Sequence, residues 1–113
     1  MPLKEKMVGD VAVIQLFGKW MGGLETTELN DKVKDLIGKD QVKVVADMGK
    51  VTLMNNTGLG ALMSAMTSLS NAKGGLKLAN IPDNVQNLLG ITKLVTIFDV
   101  LDTVDLAVAA FQK

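Results

Sequence analysis

Few side chains in this sequence could act as nucleophiles, metal ligands or acid–base catalysts. Among its 113 residues there is no cysteine and no histidine. This composition excludes disulfides, thiolate nucleophiles, imidazole catalysis and zinc sites of the usual kind. Carboxylates, lysines and hydroxyls remain, but they form no carboxylate-pair, metal-ligand or P-loop motif. We therefore expect a protein that is not an enzyme and that needs no metal or cofactor.

The charge balance also restricts the possible partners. Twelve basic residues match twelve acidic ones, whereas nucleic-acid binding needs a basic surface that neutralises phosphates. No polybasic run is present to hold a membrane surface. The uncharged stretch 51–72 is long enough to cross a bilayer, but it carries too many serine, threonine and asparagine residues for hydrocarbon. With no apolar signal segment at the N-terminus, the sequence predicts a cytoplasmic protein without nucleic-acid binding or membrane insertion.

The most informative hydroxyl is that of Thr57, which opens the run Thr57-Gly58-Leu59-Gly60. A helix is predicted to begin there, and free backbone N–H groups and the helix dipole favour an anion at such a position. A phosphate on Thr57 would add roughly −1.5 to −2 charges at a place able to hold it. The same position also suits a helix N-cap or first-turn residue. Both interpretations stay open from the residues alone.

The elements that position Thr57 follow from the hydrophobic pattern. Strands are predicted at 4–8 and 11–17, joined by the hairpin signal Gly9-Asp10. A helix with apolar residues at 29, 33, 36 and 37 follows and ends at Gly38, and the next strand covers 42–47. Strand, helix and strand over this length imply a parallel pair. The loops 18–23 and 48–57 should therefore meet at one sheet edge, where ligands usually bind in such folds.

The rest of the chain predicts further alternation of helices and strands. A helix over 57–73 precedes a strand at 76–79, and Pro82 opens a short helix that ends at Gly90. We expect a last strand at 95–98 and a final helix capped by Asp102, with Leu106, Ala110 and Phe111 facing inward. The prediction is one α/β domain over 1–113: a small mixed sheet of four to five strands with an N-terminal hairpin and three to four helices.

The run 47–60 resembles the STAS family, whose pattern is a strand ending in Asp-Leu, a hydrophobic turn and Asp-Ser-Ser/Thr-Gly-Leu-Gly opening a helix. The resemblance continues through Ile81-Pro82 to Ile97-Phe98. In that family the hydroxyl at the position of Thr57 is phosphorylated by a partner serine kinase, typically also the anti-sigma factor. The unmodified form binds the kinase and frees the sigma factor, and phosphorylation breaks the contact. The resemblance thus implies an anti-sigma factor antagonist that is controlled at Thr57.

Three positions beside Thr57 depart from the family pattern. Asn55 stands where the family commonly has Asp, and Asn56 replaces a small hydroxyl residue. The family's Gly-x-Leu-Asp becomes Gly18-Lys19-Trp20-Met21, so Met21 replaces a second acid. An alternative function that does not need these acids is that of a constitutive, non-phosphorylated STAS interaction subunit of a transporter or signalling assembly.

The predicted partner-binding surface surrounds Thr57 and would make contact through shape and hydrogen bonds, with little charge. It continues along a side of the second helix that carries neither lysine nor glutamate. Its predicted residues are Trp20, Met21, Gly22, Asn55, Asn56, Gly58, Gly60, Ala61 and Ser64. Two alternatives stay open. Trp20 could instead pack inward, and the C-terminal part of the domain could cover the small-residue helix side.

Overall fold

A computed structural model describes residues 2–94 and 96–112 of the chain. Strands and helices alternate after an initial hairpin, as the hydrophobic pattern predicts. The elements in chain order are β1 (Leu3–Val8), β2 (Val11–Trp20), α1 (Leu24–Gly38), β3 (Lys43–Met54), α2 (Asn56–Asn71), β4 (Gly75–Ala79), α3 (Asp83–Ile91), β5 (Asp99–Leu101) and α4 (Val104–Phe111). The α/β class, the mixed sheet of five strands and the four helices confirm the prediction.

The sheet has the strand order β1-β2-β3-β4-β5. β1 pairs antiparallel with β2 through a tight turn in which Gly9 adopts φ +61°, a left-handed conformation that glycine adopts at no steric cost. All later neighbours pair in parallel, with α1, α2 and α3 as crossover connections. The hairpin therefore lies at one edge, and the carboxyl ends of β2 and β3 lie side by side.

Both faces of the sheet are covered. The larger core lies between the sheet and α1, α2 and α3, and the smaller one lies under α4 around Ala107. β2 contributes alternate residues to both, with Ile14 in the first core and Val13 in the second. This two-sided burial explains why β2 is apolar on both faces. No helix within the described ranges is long and apolar enough to cross a bilayer.

β2 and β3 are longer than predicted. Their pairing continues to Trp20 and Met54, rather than ending at 17 and 47, because register shifts after Gln15 and after Gly18 restore it. At each shift β3 contains one more residue than β2, as in a β-bulge, and the pairing resumes beyond it. The extension carries the ends of β2 and β3 directly to the first turns of α1 and α2.

The C-terminal elements correct three predictions. The last strand lies at 99–101 rather than 95–98, of which Val95 falls outside the described residues. Thr103, not Asp102, caps α4, because its hydroxyl accepts a hydrogen bond from the N–H of Leu106 at 3.1 Å. Ala107 faces inward, whereas Leu106 is 51% exposed. Ala110 and Phe111 are half-buried, and Phe111 packs against the smaller core.

Candidate functional site

Thr57 is the second residue of α2, and its hydroxyl is not the helix cap. Asn55 is the N-cap, and its Oδ1 accepts a hydrogen bond from the N–H of Gly58 at 2.9 Å. Capping by Asn55 satisfies one of the N–H groups that a helix start leaves without a partner. Thr57 is exposed in the first turn. The predicted helix start is confirmed, and of the two structural roles for Thr57 only the first-turn role applies.

Gly58 allows α2 to begin in contact with the end of β2. A Cβ atom at this position would lie 2.0 Å from the backbone oxygen of Trp20, so no larger residue fits without displacement. The N–H of Asn55 donates to the same oxygen at 3.2 Å. Gly58 itself is buried, so it lies beneath the predicted partner-binding surface and not on it, which corrects its inclusion among the contact residues.

Trp20 packs inward, which is one of the two orientations that the sequence allows. Its side chain is 0% exposed within the larger core, and its Nε1–H donates to the carbonyl of Phe17 at 3.1 Å. Inclusion of its side chain in the partner-binding surface was therefore wrong. The strand extension described above carries Trp20 out of the predicted loop and into the core.

Asn55 also joins the two loops that were predicted to meet at this edge. Its Nδ2 donates to the carbonyl of Met21 at 3.2 Å, while its Oδ1 holds α2. An aspartate has no donor for the Met21 carbonyl at neutral pH. The amide at 55 therefore has a structural use that the carboxylate expected from the family pattern could not supply.

Gly22 brings the first loop into contact with Thr57. It adopts φ +100°, which favours glycine, and a Cβ there would lie 2.6 Å from Cγ2 of Thr57. The same position is 3.8 Å from Oγ1 of Thr57. The methyl group of Thr57, rather than its hydroxyl, is thus the part nearest Gly22.

Glu25 is a charged residue of the site that the sequence prediction missed. Its Oε2 accepts hydrogen bonds from the N–H groups of Met21, Gly22 and Gly23, at 2.9, 3.1 and 3.0 Å. These bonds, that from Gly23 first, hold the pKa of Glu25 below its usual range. The available signal was an acid in the first turn of α1, a helix that begins directly after two glycines. This edge therefore carries a carboxylate, whereas the sequence predicts a surface with little charge.

A groove of about 330 Å³ runs between α1 and α2 beside Thr57. It has no charged lining residue; the lining consists of Thr26, Thr27 and Asn30 on α1 and of Thr57, Gly60, Ala61 and Ser64 on α2. The α1 residues were missed because their polar side chains are typical of any solvated helix face. The groove is open. The helix that packs beside α2 is α1, and not the C-terminal part of the domain that the alternative interpretation requires.

Large apolar side chains are exposed at the same end of the sheet. Met21 is 44% exposed, Leu24 at the start of α1 is 79% exposed, and Leu53 near the end of β3 is 43% exposed. Single exposed apolar residues are ordinary, but these three belong to the loops and element ends around Thr57. Met21, Gly22, Asn55, Asn56 and Thr57 thus lie at one edge, continuous with the α1–α2 groove.

A second concavity of about 370 Å³ lies on the opposite face of the sheet, next to α4. Lys4 and Lys6 line one side, and Asp47 and Asp105 line others. Oδ1 of Asp47 accepts hydrogen bonds from the N–H of Gly49 and the side-chain amide of Asn80, both at 3.1 Å. No group of three or more acidic residues in the described ranges could hold a metal ion.

Solved structures of similar shape cover nearly the whole chain. A Thermotoga maritima protein assigned as an anti-sigma factor antagonist has a TM-score of 0.88 and 20% identity, over 98% of this chain and 95% of its own. The Bacillus cell fate determinant SpoIIAA, in its phosphorylated form, has a TM-score of 0.74 and 18% identity, over 96% and 97%. A sulfate transporter family protein from Wolinella succinogenes has a TM-score of 0.80 and 22% identity, over 95% and 89%. The TM-scores establish a shared fold, and identities this low extend the likeness no further than the fold.

The sequence itself carries the family assignment. The family pattern of a strand, a turn and a helix that opens with Thr-Gly-Leu-Gly corresponds to the end of β3 and the start of α2. The STAS domain family matches residues 8–107, from the first hairpin into α4. On that match, which spans most of its length, the chain belongs to the STAS domain family.

Proposed function

We propose that this protein is an anti-sigma factor antagonist, a protein-binding switch that works in the cytoplasm and is controlled by phosphorylation of Thr57. The observation that carries the proposal is the exposed Thr57 at the second position of α2, whose hydroxyl is not needed to cap the helix. The partner is an anti-sigma factor that is also a serine/threonine kinase. Binding of the unmodified protein would occupy the kinase and release its sigma factor.

The first turn of α2 favours a phosphate electrostatically. It contains no acidic residue, and a negative charge near a helix N-terminus is stabilised by about 0.3–1 kcal/mol. Modification should therefore leave the fold intact. It would place roughly −1.5 to −2 charges beside a groove with no charged lining.

The surface around Thr57 is suited to a protein partner. The apolar side chains of Met21, Leu24 and Leu53 can supply buried contacts, and the α1–α2 groove supplies hydroxyl and amide groups. Protein interfaces combine a desolvated apolar centre with a polar rim. A phosphate at the centre of this surface would have to be desolvated on binding, which is costly without a cationic counterpart. Phosphorylation should accordingly dissociate the complex.

Mass spectrometry of the intact protein tests the assignment. Incubation with the cognate kinase and ATP should add one phosphate to the wild type and to Thr57→Ser, but none to Thr57→Ala. Ser70→Ala is the matched control, since Ser70 is an exposed hydroxyl residue of α2 that does not line the groove and should not change the reaction. Thr57→Glu should weaken kinase binding in titration calorimetry. Phosphate on Ser64 or Ser68, or no phosphate on the wild type, would refute the assignment of Thr57.

A constitutive STAS interaction subunit of a transporter or signalling assembly is the second candidate. It is favoured by Asn55 and Met21, which replace the family acids. It is consistent with the similar fold of the Wolinella succinogenes sulfate transporter family protein. Under this function Thr57→Glu would leave partner affinity nearly unchanged. Neighbouring genes also distinguish the two: a small kinase and a sigma factor support the switch, and a transporter operon supports the subunit.

A further inference from the structure

Glu25 makes contacts that reach beyond its own helix. It is the second residue of α1, yet one of its oxygens accepts hydrogen bonds from three consecutive backbone N–H groups at 21–23. On the other side of the same segment, the Met21 carbonyl accepts a bond from Nδ2 of Asn55. The segment is thus held from both sides, by α1 through Glu25 and by the start of α2 through Asn55.

The segment at 21–23 is in turn the surface against which the Thr57 side chain rests. The close approach of Gly22 to Cγ2 of Thr57 leaves room for no side chain at 22. A threonine side chain has few allowed rotamers in a helix, and the direction of its methyl group fixes the direction of its hydroxyl because both are carried by Cβ. The position of the 21–23 backbone therefore selects the rotamer in which the methyl faces Gly22.

We propose that Glu25 is a positioning residue for Thr57: it holds the 21–23 backbone against the threonine methyl, and so fixes the direction in which the hydroxyl is presented to a kinase. The proposal rests on the proposed function of Thr57 as the phosphoacceptor. It adds a residue outside the family motif on which recognition of that hydroxyl depends.

The chemistry of the contact requires a carboxylate of this length. Three N–H donors converge on one oxygen, and hydrogen bonds to an ionised acceptor are roughly twice as strong as neutral ones. A glutamine offers only a neutral carbonyl, and an aspartate is one methylene shorter. The lowered pKa of Glu25 is consistent with a carboxylate that stays ionised in this contact at neutral pH. Thr26 bonds the Gly23 carbonyl separately at 2.8 Å, so α1 should keep its start in either variant.

Nuclear magnetic resonance of the whole chain tests the positioning without any kinase. The wild type should show an Overhauser contact between the Thr57 methyl and the Gly22 α-protons. Glu25→Gln should weaken that contact and shift the amide signals of residues 21–23. Glu28→Gln is the control, since it removes the same charge from an exposed site one turn further along α1. An unchanged methyl contact in Glu25→Gln would overturn the proposal.

Kinase assays test the consequence. Glu25→Gln should lower kcat/KM for phosphorylation about tenfold, because misplacement of a reacting group by about 1 Å can cost up to a hundredfold. Glu25→Asp keeps the charge, but its shorter side chain cannot reach the three N–H groups, so its rate should resemble that of Glu25→Gln. A wild-type rate in Glu25→Asp would show that the charge alone matters and would overturn the positioning role of Glu25. A wild type that is not phosphorylated would instead refute the proposed function, and the methyl contact would still decide whether Glu25 orients Thr57.

Discussion

Two glycines separated by one residue allow the site's geometry to be tested through stability. Alanine at Gly58 would place a Cβ 2.0 Å from the Trp20 backbone oxygen, whereas alanine at Gly60 would meet nothing within 4 Å. Ordinary van der Waals contact begins near 3.4 Å, so Gly58→Ala must move α2 or the end of β2 by about 1.4 Å (3.4 − 2.0). Because the clash is with backbone, no side-chain rotation can relieve it.

The expected magnitudes have opposite signs. Overpacking costs about 1–3 kcal/mol, and displacement of α2 also strains the Gly58–Asn55 hydrogen bond, worth about 0.5–1.5 kcal/mol. We therefore expect Gly58→Ala to lower the free energy of unfolding by about 2–4 kcal/mol. Gly60→Ala lies within α2 and gains helix propensity, so it should raise the free energy by about 0.5–1 kcal/mol.

Urea denaturation followed by the fluorescence of Trp20 measures both variants, because this single tryptophan lies in the core beneath Gly58. With a slope of about 1–3 kcal/mol/M, the midpoint of Gly58→Ala should fall by about 1 M or more. A Gly58→Ala midpoint equal to that of the wild type would refute the described contact between α2 and β2. Gly60→Ala should keep its fold yet weaken partner binding, because its added methyl enters the α1–α2 groove.

Two further predictions concern Asn55 and pH. Asn55→Asp keeps a good helix cap but loses the hydrogen bond to the Met21 carbonyl. The amide signals of residues 21–23 should therefore shift, and the free energy of unfolding should change by at most about 1 kcal/mol. An unchanged amide spectrum would contradict the link between the two loops. Asn55→Ala, which loses both bonds, should cost about 0.5–2 kcal/mol from the cap alone. The pKa of Glu25 is lowered by backbone hydrogen bonds, and that of Lys32 is raised by its hydrogen bond to Glu5. Stability from Glu25 is present above its ordinary value of 4.5 and is lost as pH falls through the lower folded value. Stability from Lys32 is present below 10.5 and is lost as pH rises through its higher folded value. With no histidine, denaturation curves should be nearly constant between about pH 5 and 10; a midpoint that shifts steeply near pH 6–7 would contradict this.

The sequence was sufficient for the order and type of the elements, because their apolar periodicity reflects burial against one sheet. It was sufficient for the place of Thr57, because Gly-Leu-Gly follows an uncharged loop and precedes a helical stripe. It was insufficient for the ends of β2 and β3, where irregular pairing between strands distant in sequence decides the length. The burial of Trp20 follows from that extension.

Contacts that depend on an unusual backbone were also beyond the sequence. Glu25 can reach three N–H groups only because the 21–23 segment folds back over it, with Gly22 in a left-handed conformation. No residue-type pattern specifies that path. At α4, neighbouring Asp102 and Thr103 are both good N-cap residues, and their types could not decide between them. Leu106 and Ala107 are neighbours whose side chains point about 100° apart on a helix, and Ala107 is the one that faces the sheet.

The arrangement around Thr57 separates structural tasks from the proposed chemical one. Asn55 caps α2 and ties it to Met21, Gly58 permits the close approach to β2, and Glu25 satisfies the N–H groups at 21–23. None of these contacts uses the hydroxyl of Thr57. A modification there would change the charge of the surface without removing a hydrogen bond that holds the fold. Such a site can be switched repeatedly between two binding states at little cost in stability, since the helix N-terminus favours the added anion. The replacement of family acids by Asn55 and Met21 is compatible with this use, because Asn55 supports the loop and Glu25 supplies a carboxylate beside it.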